Sequence, residues 1–390
     1  MPSTTSIDRR RFLQVGGLGV GLGVTRPSPG LAQAASREGE STRVRMVGDG
    51  LSMTVAESAS VWTELGHDIV RDSYSNGGVV ERLEQAFAKE LGKERAVFLP
   101  TGTLANHLAV RNLASPAGRP TRAIVQAESH LFNDSGDCVQ TLSGVTLVPL
   151  GAGRAGFTLE EVQEAIRRTA SGRVAAPISV ISLETPVRRK FGETFDAAEM
   201  ARIVTFAQRE GIRLHLDGAR IYLQSAYTGR SVAEYAKPFD TVYVSLYKYF
   251  NAPSGAILAG PRDWLDGLYH ERRMFGAGLP SAWPFASIAA YYQPGFLERF
   301  RRAVETSESL IARLTKEPPF RVSRIPAGTN IFDVQVAASS VSRFQQYVRD
   351  HGVDLGMPRP GGRFRLSVNE TWNRRSAQEL EDIFVGALSA

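Results

Sequence analysis

From about residue 79 onward, short apolar segments typical of buried strands alternate with amphipathic helical segments. The strand patterns cover residues 95–99, 123–125, 145–150, 178–183, 212–216, 241–246 and 255–260, and helical patterns at 79–92, 158–169 and 197–210 lie between some of them. Strands that are apolar along their whole length and separated by helices indicate a mostly parallel sheet covered on both faces. The sequence therefore predicts a large α/β domain over residues 75–280.

The pattern changes after this domain. A long helical pattern over residues 281–315 precedes strand patterns at 321–324, 331–336 and 364–368, with helical patterns at 341–351 and from 376. This order is typical of a smaller α+β domain over residues 281–390. A chain of 390 residues is long enough to form two such cores. Residues 35–74 are predicted to form an N-terminal segment ahead of the large domain.

Residues 1–34 have the composition of an export signal. The basic segment DRRRFLQ at 8–14 precedes a glycine-rich apolar run of about ten residues and a small-x-small site at 32–34. That run is too short for a stable membrane anchor, which needs about 20 residues. Arg9 and Arg10, followed by Phe and Leu, resemble the twin-arginine signal, which implies a periplasmic or secreted protein. The alternative, a basic tail before a buried helix, is disfavoured because each glycine costs a helix about 1 kcal/mol.

Charge and cysteine content exclude other classes. The four arginines and one aspartate of residues 1–34 carry +3 of the net charge of +6. The remainder has no dense basic stripe with interleaved aromatic residues, so the sequence predicts no nucleic-acid partner. Cys138 is the only cysteine, which excludes an intrachain disulfide and a multi-cysteine metal site.

Two motifs follow strand patterns at positions suited to a ligand. Gly102 and Thr103 stand where strand 95–99 gives way to a helical pattern, and the N–H groups at the start of such a helix suit a phosphate. The alternative is an ordinary threonine-capped helix. Asp217 directly follows strand 212–216, at the sheet edge where α/β proteins bind ligands. The alternative there is a plain Asp-Gly turn.

Lys248 ends an apolar strand between two tyrosines, Tyr247 and Tyr249. A desolvated lysine loses affinity for its proton and becomes a nucleophile, although a lysine whose ammonium group reaches water at the strand end fits the pattern equally well. Taken together, a phosphate site, a carboxylate and a lysine 31 residues after it are the parts that pyridoxal phosphate needs.

A glycine-rich motif offers a competing interpretation. GAGRAG at residues 151–156 satisfies G-x-G-x-x-G after a strand pattern. In a dinucleotide site the helix begins within the glycines, whereas here Thr158 and Glu161 predict a capping box beyond them. A nicotinamide oxidoreductase is therefore the last of the alternatives.

Four segments, taken in order, resemble the threonine aldolase group of fold-type-I pyridoxal phosphate enzymes, the β-eliminating lyase family. They are VVERLEQAFAKELGKERAVFLPTGTLAN, ESHLFND, LHLDGAR and SLYKYFNAPSGAILAG. The resemblance implies that Gly102 and Thr103 bind the cofactor phosphate, His130 stacks on the cofactor ring, Asp217 pairs with the ring nitrogen and Lys248 forms the Schiff base. It also implies a homodimer or homotetramer.

The resemblance further implies residues that bind an amino-acid substrate. Arg220 matches an arginine near the cofactor and the substrate carboxylate. Arg365 matches a C-terminal arginine whose forked guanidinium group suits a carboxylate. Arg363 is the alternative residue for this role. Tyr74 matches a tyrosine at the edge of the active site.

Several positions depart from the family pattern. Leu279, Pro280 and Ser281 stand where aldolases carry Met-Arg-Gln, so an arginine expected near the phosphate is absent. Gly48 stands near the place of a serine, and Asn369 stands in place of a histidine. We therefore expect cleavage of a β-hydroxy amino acid to glycine and an aldehyde, with β-elimination as the first alternative. A catalytically silent pyridoxal-binding protein is the second.

Overall fold

The structure is a computed structural model, and it describes residues 42–114, 121–174 and 176–389. The predicted export signal at residues 1–34 lies outside the described residues. The described chain begins with a short strand, β1 (Val44–Arg45), and a helix, α1 (Val55–Leu65). Thr54 caps α1 by accepting a hydrogen bond from the Glu57 N–H, while the Glu57 carboxylate accepts one from the Thr54 N–H. This capping box fixes where α1 begins.

A seven-stranded sheet forms where the apolar segments predict strands. Its strands are β2 (Arg95–Leu99), β3 (Arg122–Gln126), β4 (Thr146–Leu150), β5 (Ile178–Glu184), β6 (Arg213–Asp217), β7 (Thr241–Ser245) and β8 (Ala256–Gly260). The order across the sheet is β2-β8-β7-β6-β5-β3-β4. Strands β4, β3, β5, β6 and β7 run parallel, and β8 is antiparallel to both β7 and β2. The predicted mostly parallel α/β sheet is confirmed.

Helices connect and cover these strands. They are α2 (Gly78–Glu90), α3 (Gly102–Leu113), α4 (His130–Asn133), α5 (Cys138–Ser143), α6 (Leu159–Ala170), α7 (Ala197–Arg209), α8 (Ile221–Thr228), α9 (Val232–Ala236), α10 (Arg262–Leu265) and α11 (Leu268–Met274). Helix α6 begins after the capping box of Thr158 and Glu161, as the sequence predicts. The glycines of residues 151–156 lie in the preceding loop, so no helix begins among them.

The helical pattern at residues 281–315 forms two helices rather than the one long helical region predicted. These are α12 (Trp283–Tyr292) and α13 (Phe296–Leu314). Pro294 lacks the N–H group that a continuous helix requires, and Gly295 has φ 68°, a left-handed conformation that glycine adopts at little cost. The prediction of a continuous helix was wrong because it gave this Pro-Gly pair too little weight.

The C-terminal part forms a second, smaller sheet. Strands β9 (Arg321–Arg324), β10 (Ile331–Gln335) and β12 (Arg363–Ser367) are antiparallel in the order β12-β10-β9. Helices α14 (Val341–Asp350) and α15 (Ala377–Ser389) pack beside it, and β11 (Val353–Asp354) pairs with β1. Among the residues described, no helix combines the length and apolar character that a bilayer span requires.

Candidate active site

A cavity of about 820 Å³ opens at the carboxyl ends of the parallel strands. Parallel strands end at the same edge of a sheet, which is where α/β proteins place their ligands. The residues that end β5 and β6, the lysine after β7 and the first residue of α4 all line this cavity, namely Glu184, Asp217, Lys248 and His130. With Arg220, which also lines it, the cavity brings four of the predicted site residues together with Glu184, which the sequence did not reveal.

Asp217 is the last residue of β6, and both of its carboxylate oxygens accept hydrogen bonds. Asn106 Nδ2 donates to Oδ2 over 2.6 Å, and the Ala219 N–H donates to Oδ1 over 3.1 Å. Asn106 Oδ1 lies 2.8 Å from Nε2 of the buried His215. Donors aimed at a carboxylate stabilise its charged form. Asp217 therefore lines the cavity with both carboxylate oxygens engaged by donors, and its pairing with the ring nitrogen stays a prediction.

Lys248 follows β7 and is largely enclosed. Burial, and secondarily the positive charge of Arg220, lower the pKa of Lys248 to about 8, although Asp217 and Asp49 oppose this shift. Its Nζ lies 5.8 Å from the ring centroid of Tyr243 and 5.2 Å from that of Tyr247. A lysine with a pKa near neutrality supplies more of the unprotonated amine that attacks an aldehyde.

His130 begins helix α4 and is held from three sides. Its backbone N–H donates to Glu184 Oε2 over 2.6 Å. On the imidazole ring, Nε2 lies 3.4 Å from Thr103 Oγ1 and Nδ1 lies 3.6 Å from Asp134 Oδ2. The ring is thus placed at the cavity wall between the start of α3 and an acidic side chain.

Gly102 and Thr103 form the first turn of α3, as predicted. The cap is Thr101, whose Oγ1 accepts a hydrogen bond from the Leu104 N–H. The threonine-capped helix given as the alternative is therefore present, and the phosphate-binding role of Gly102 and Thr103 stays a prediction. The cap leaves the first N–H groups of the helix without partners inside the helix. An ideal Cβ on Gly102 would lie 1.9 Å from the hydroxyl oxygen of Tyr243. Only glycine fits at this position.

Arg220 lines the cavity and forms an ion pair with Asp49. Its Nε lies 2.8 Å from Asp49 Oδ2, and the two side chains are only 15% and 11% exposed. Asn330 Nδ2 also donates to Asp49 Oδ1 over 3.3 Å. Burial opposes the charge of Arg220, but Asp49 and Glu184 outweigh it and raise the pKa of Arg220. Arg220 therefore remains a fixed cation at the cavity wall.

Arg365 and Tyr74 lie apart from the residues that line this cavity. Arg365 donates from Nε and Nη2 to the two carboxylate oxygens of Asp333, each over 2.8 Å, while its Nη1 is buried without a partner in the described structure. Its guanidinium carbon lies 3.7 Å from the ring centroid of Phe191. Tyr74 is 44% exposed, and Arg273 lies 4.8 Å from its ring centroid. Their substrate-binding roles stay predictions.

Glu184 is the main site residue that sequence reasoning missed. Burial, followed by the nearby charge of Asp217, raises the pKa of Glu184 to about 7. Its oxygens accept hydrogen bonds from the backbone N–H groups of His130 and Arg188. The signal that could have found Glu184 is the one that found Asp217, an acidic residue at the end of an apolar strand. Asp49 and Arg188, which also line the cavity, carry no such signal.

The residues present fit pyridoxal phosphate. A buried lysine with a lowered pKa, a hydrogen-bonded carboxylate and an imidazole line one cavity, and the first turn of α3 lies beside it, where Thr103 Oγ1 is 3.4 Å from His130 Nε2. The fold and this site define a protein of the fold-type-I pyridoxal phosphate class. The family model for Beta-eliminating lyase matches residues 54–337. Because this match covers more than half of the chain, the protein belongs to that family.

Individual relatives agree with this assignment. A low-specificity L-threonine aldolase of Candida albicans is 31% identical over 221 residues, which cover 56% of this chain and 58% of the aldolase. A similar aldolase of Saccharomyces cerevisiae is matched over 53% of its length. The chain thus spans little more than half the length of these curated relatives.

Solved structures match over more of the chain. A protein of Exiguobacterium, provisionally named an aromatic amino acid beta-eliminating lyase/threonine aldolase, aligns with a TM-score of 0.75 and 26% identity, over 90% of this chain and 99% of that one. A provisionally named L-allo-threonine aldolase of Listeria monocytogenes aligns with a TM-score of 0.73 and 27% identity, over 90% and 98% of the two chains. The predicted fold class and family are confirmed.

Proposed function

We propose that the protein is a pyridoxal phosphate-dependent lyase that cleaves the Cα–Cβ bond of a β-hydroxy amino acid, giving glycine and an aldehyde. The observation that carries this proposal is that Lys248 and Asp217, from neighbouring strands of one sheet, face a single cavity that His130 also lines. The threonine aldolase names of the relatives support this choice among the reactions that the cofactor permits.

Four elements of the chain would hold the cofactor. The Lys248 amine would form the imine with its aldehyde, Asp217 would face its ring nitrogen, His130 would lie against its ring, and the first turn of α3 would bind its phosphate. When bound, pyridoxal phosphate withdraws electrons from the α-carbon of an amino acid and so stabilises negative charge there. Asp217 supports this chemistry by keeping a proton on the ring nitrogen.

The remaining groups bind the substrate and move its proton. Arg220 provides a fixed positive charge for the substrate carboxylate. His130 accepts the proton of the β-hydroxyl group, directly or through a water molecule, while the electrons of the Cα–Cβ bond move to the α-carbon and the β-carbon becomes the aldehyde. Asp134, 3.6 Å from Nδ1, stabilises the imidazolium that results. A proton delivered to the α-carbon then completes glycine.

The experiment compares products after the cofactor is established. Purified protein is expected to be yellow and to lose this colour on borohydride treatment, with Lys248 modified. Threonine and other β-hydroxy amino acids should then release glycine and an aldehyde. Release of ammonia and a 2-oxo acid, pyruvate from serine or 2-oxobutyrate from threonine, would favour the β-eliminating lyase, the alternative that the family name supports. Colour without turnover on any amino acid would favour a silent cofactor-binding protein.

We also propose that the chain is exported by the twin-arginine route and acts in the periplasm or outside the cell. The supporting feature is the sequence of residues 8–34, in which Arg9 and Arg10 precede a short apolar run. Replacing both arginines with lysine should retain the full-length protein in the cytoplasm, whereas the same change at Arg11 and Arg26 should not. Equal export of both variants would contradict the proposal.

We also propose that the protein forms a homodimer or a homotetramer. This proposal rests only on the resemblance to the family. Light scattering of the purified protein on a sizing column would measure its mass. A monomeric mass would contradict this proposal without affecting the assignment of the cofactor.

A further inference from the structure

The hydroxyl group of Tyr243 lies at the N-terminus of α3, at the turn proposed to bind the phosphate. Tyr243 is in the middle of β7, lines the cavity and is 2% exposed. An ideal Cβ on Gly102 would lie 1.9 Å from the Tyr243 oxygen and 2.4 Å from Cζ. The phenol therefore touches the backbone that presents the first N–H groups of α3.

A second hydroxyl lies on the same face of β7. Side chains two residues apart on a strand point to the same side of the sheet, so Ser245 and Tyr243 share a face. Ser245 is fully buried, and its hydroxyl faces that of Tyr243. Because a hydroxyl group can accept one hydrogen bond and donate another, a Tyr243 oxygen that accepts from Ser245 keeps its own hydrogen free for a ligand.

The cationic side chains that line the cavity have other partners. Arg220 pairs with Asp49 and Arg188 pairs with Asp134, while the amine of Lys248 is assigned to the cofactor aldehyde. The arginine expected near the phosphate is replaced in the segment Leu279-Pro280-Ser281. In the described part of this cavity, the donors left for a phosphate are therefore backbone N–H groups, hydroxyl groups and the Asn251 amide, whose Nδ2 has no hydrogen-bond partner there.

We propose that the Tyr243 hydroxyl donates a hydrogen bond to the cofactor phosphate, in place of the missing arginine and beside the first turn of α3. This inference rests on the proposed cofactor. Burial and the nearby charge of Asp217 raise the pKa of Tyr243, so the phenol keeps its proton and remains a donor. Gly102 is then explained as well, because a larger residue would separate the phenol from the helix terminus.

The test compares cofactors with and without the phosphate. Apoprotein is titrated with pyridoxal phosphate and with pyridoxal, and the Schiff-base absorbance gives a dissociation constant for each. Tyr243→Phe keeps the ring and removes the hydroxyl, and is expected to weaken pyridoxal phosphate binding about 10-fold or more, because a hydrogen bond to a charged group is worth about 1.5–3 kcal/mol. Pyridoxal binding is expected to change less than twofold.

Tyr249→Phe is the matched control. Tyr249 is also fully buried and lies close to Lys248 in sequence, but it does not line the cavity. Unchanged phosphate-form binding in Tyr243→Phe, or equal weakening of both cofactors, would overturn the inference. Failure of the parent protein to bind either cofactor would instead refute the proposed function. Thermal unfolding of the three apoproteins shows whether any loss reflects folding.

Discussion

Asn106 Nδ2 donates a hydrogen bond of 2.6 Å to Asp217 Oδ2 across the interface between α3 and β6. An ionised carboxylate only accepts hydrogen bonds, so this contact fixes the orientation of the Asn106 amide. The amide oxygen must then accept from His215 Nε2, 2.8 Å away. Burial lowers the pKa of His215 to about 4, so the neutral ring carries its hydrogen on Nε2. Nδ1 consequently accepts from Thr241 Oγ1, at 2.8 Å.

Asn106→Ala should therefore lower turnover without removing the cofactor. Asp217 would lose a charge-assisted hydrogen bond worth about 1.5–3 kcal/mol, and we expect kcat to fall about 10-fold or more while the yellow colour remains. Asn112→Ala on the same helix is the control, because the Asn112 amide contacts Glu271 rather than Asp217. An equal loss in both variants would indicate a general effect on α3 and contradict the chain of hydrogen bonds from Thr241 to Asp217.

The pH dependence of cofactor capture should depend on Arg220. Because the pKa of Lys248 is lowered to about 8, the rate at which apoprotein forms the Schiff base should rise with pH and level off above about 8. Arg220→Gln removes a positive charge that lowers this pKa, so the midpoint should move to higher pH. Stopped-flow absorbance measures the rate.

The control for this shift is Arg189→Gln. Arg189 is half-exposed and pairs with Glu128 and Asp134 rather than with Asp49. The pH midpoint of Schiff-base formation by Arg189→Gln should match that of the parent protein. A downward shift in Arg220→Gln would contradict this account, because losing the charge of Arg220 and freeing the Asp49 carboxylate both raise the pKa of Lys248.

Arg365→Ala should weaken amino-acid binding while the colour persists. Two of the guanidinium nitrogens are engaged by Asp333, and Nη1 is buried without a partner in the described structure. The expected effect on amino-acid binding comes from the family resemblance. The change also leaves Asp333 buried without this partner, so we expect a loss of stability of about 3 kcal/mol or more. Steady-state KM and a denaturation curve separate the two effects.

Arg363→Ala tests the competing assignment. Arg363 is 47% exposed and reaches Asp333 only at 4.0 Å, so its removal should change KM less than twofold. A larger KM effect for Arg363→Ala than for Arg365→Ala would transfer the predicted substrate role to Arg363.

The sheet was predictable because its strands are buried on both faces. Such strands are apolar throughout, and the pattern located β2 to β8 to within one or two residues. Because parallel strands end at the same edge of a sheet, the pattern also placed Asp217 and Lys248, which follow two of these strands, in one site. The break between α12 and α13 was missed because the apolar periodicity continues across residues 293–295, where a single Pro-Gly pair ends the helix.

The partners of the site residues were not predictable from local pattern. Asn106 and Asp217 are 111 residues apart, and Asp49 and Arg220 are 171 residues apart. No periodicity or capping signal links such positions, because the contact exists only once the sheet and the N-terminal segment have come together. Tyr243 was hidden for a different reason, since an aromatic residue in an apolar strand is also the expected core residue.

Glu84, on α2, gives a prediction about stability rather than catalysis. Its Oε1 accepts a hydrogen bond of 2.7 Å from the Phe98 N–H. Burial raises the pKa of Glu84 from 4.5 to about 7, although this hydrogen bond and the charge of the buried Arg272 oppose the shift. The folded protein therefore holds a proton on Glu84 that the unfolded chain releases. Stability from this group is complete below pH 4.5 and is lost as the pH rises to about 7.

Glu84→Gln removes this dependence, because the amide oxygen can still accept from Phe98 and the side chain no longer ionises. The free energy of unfolding of the variant, relative to that of the parent protein, should increase by up to about 3 kcal/mol between pH 4.5 and pH 8. Denaturant unfolding at several pH values measures this difference. Glu81→Gln, at an exposed position on the same helix, should show a much smaller trend, because the charge of Glu81 is the weakest of those that act on Glu84. If the variant instead lost stability relative to the parent as the pH rose, the attraction between Glu84 and Arg272 would outweigh the cost of burying the charge.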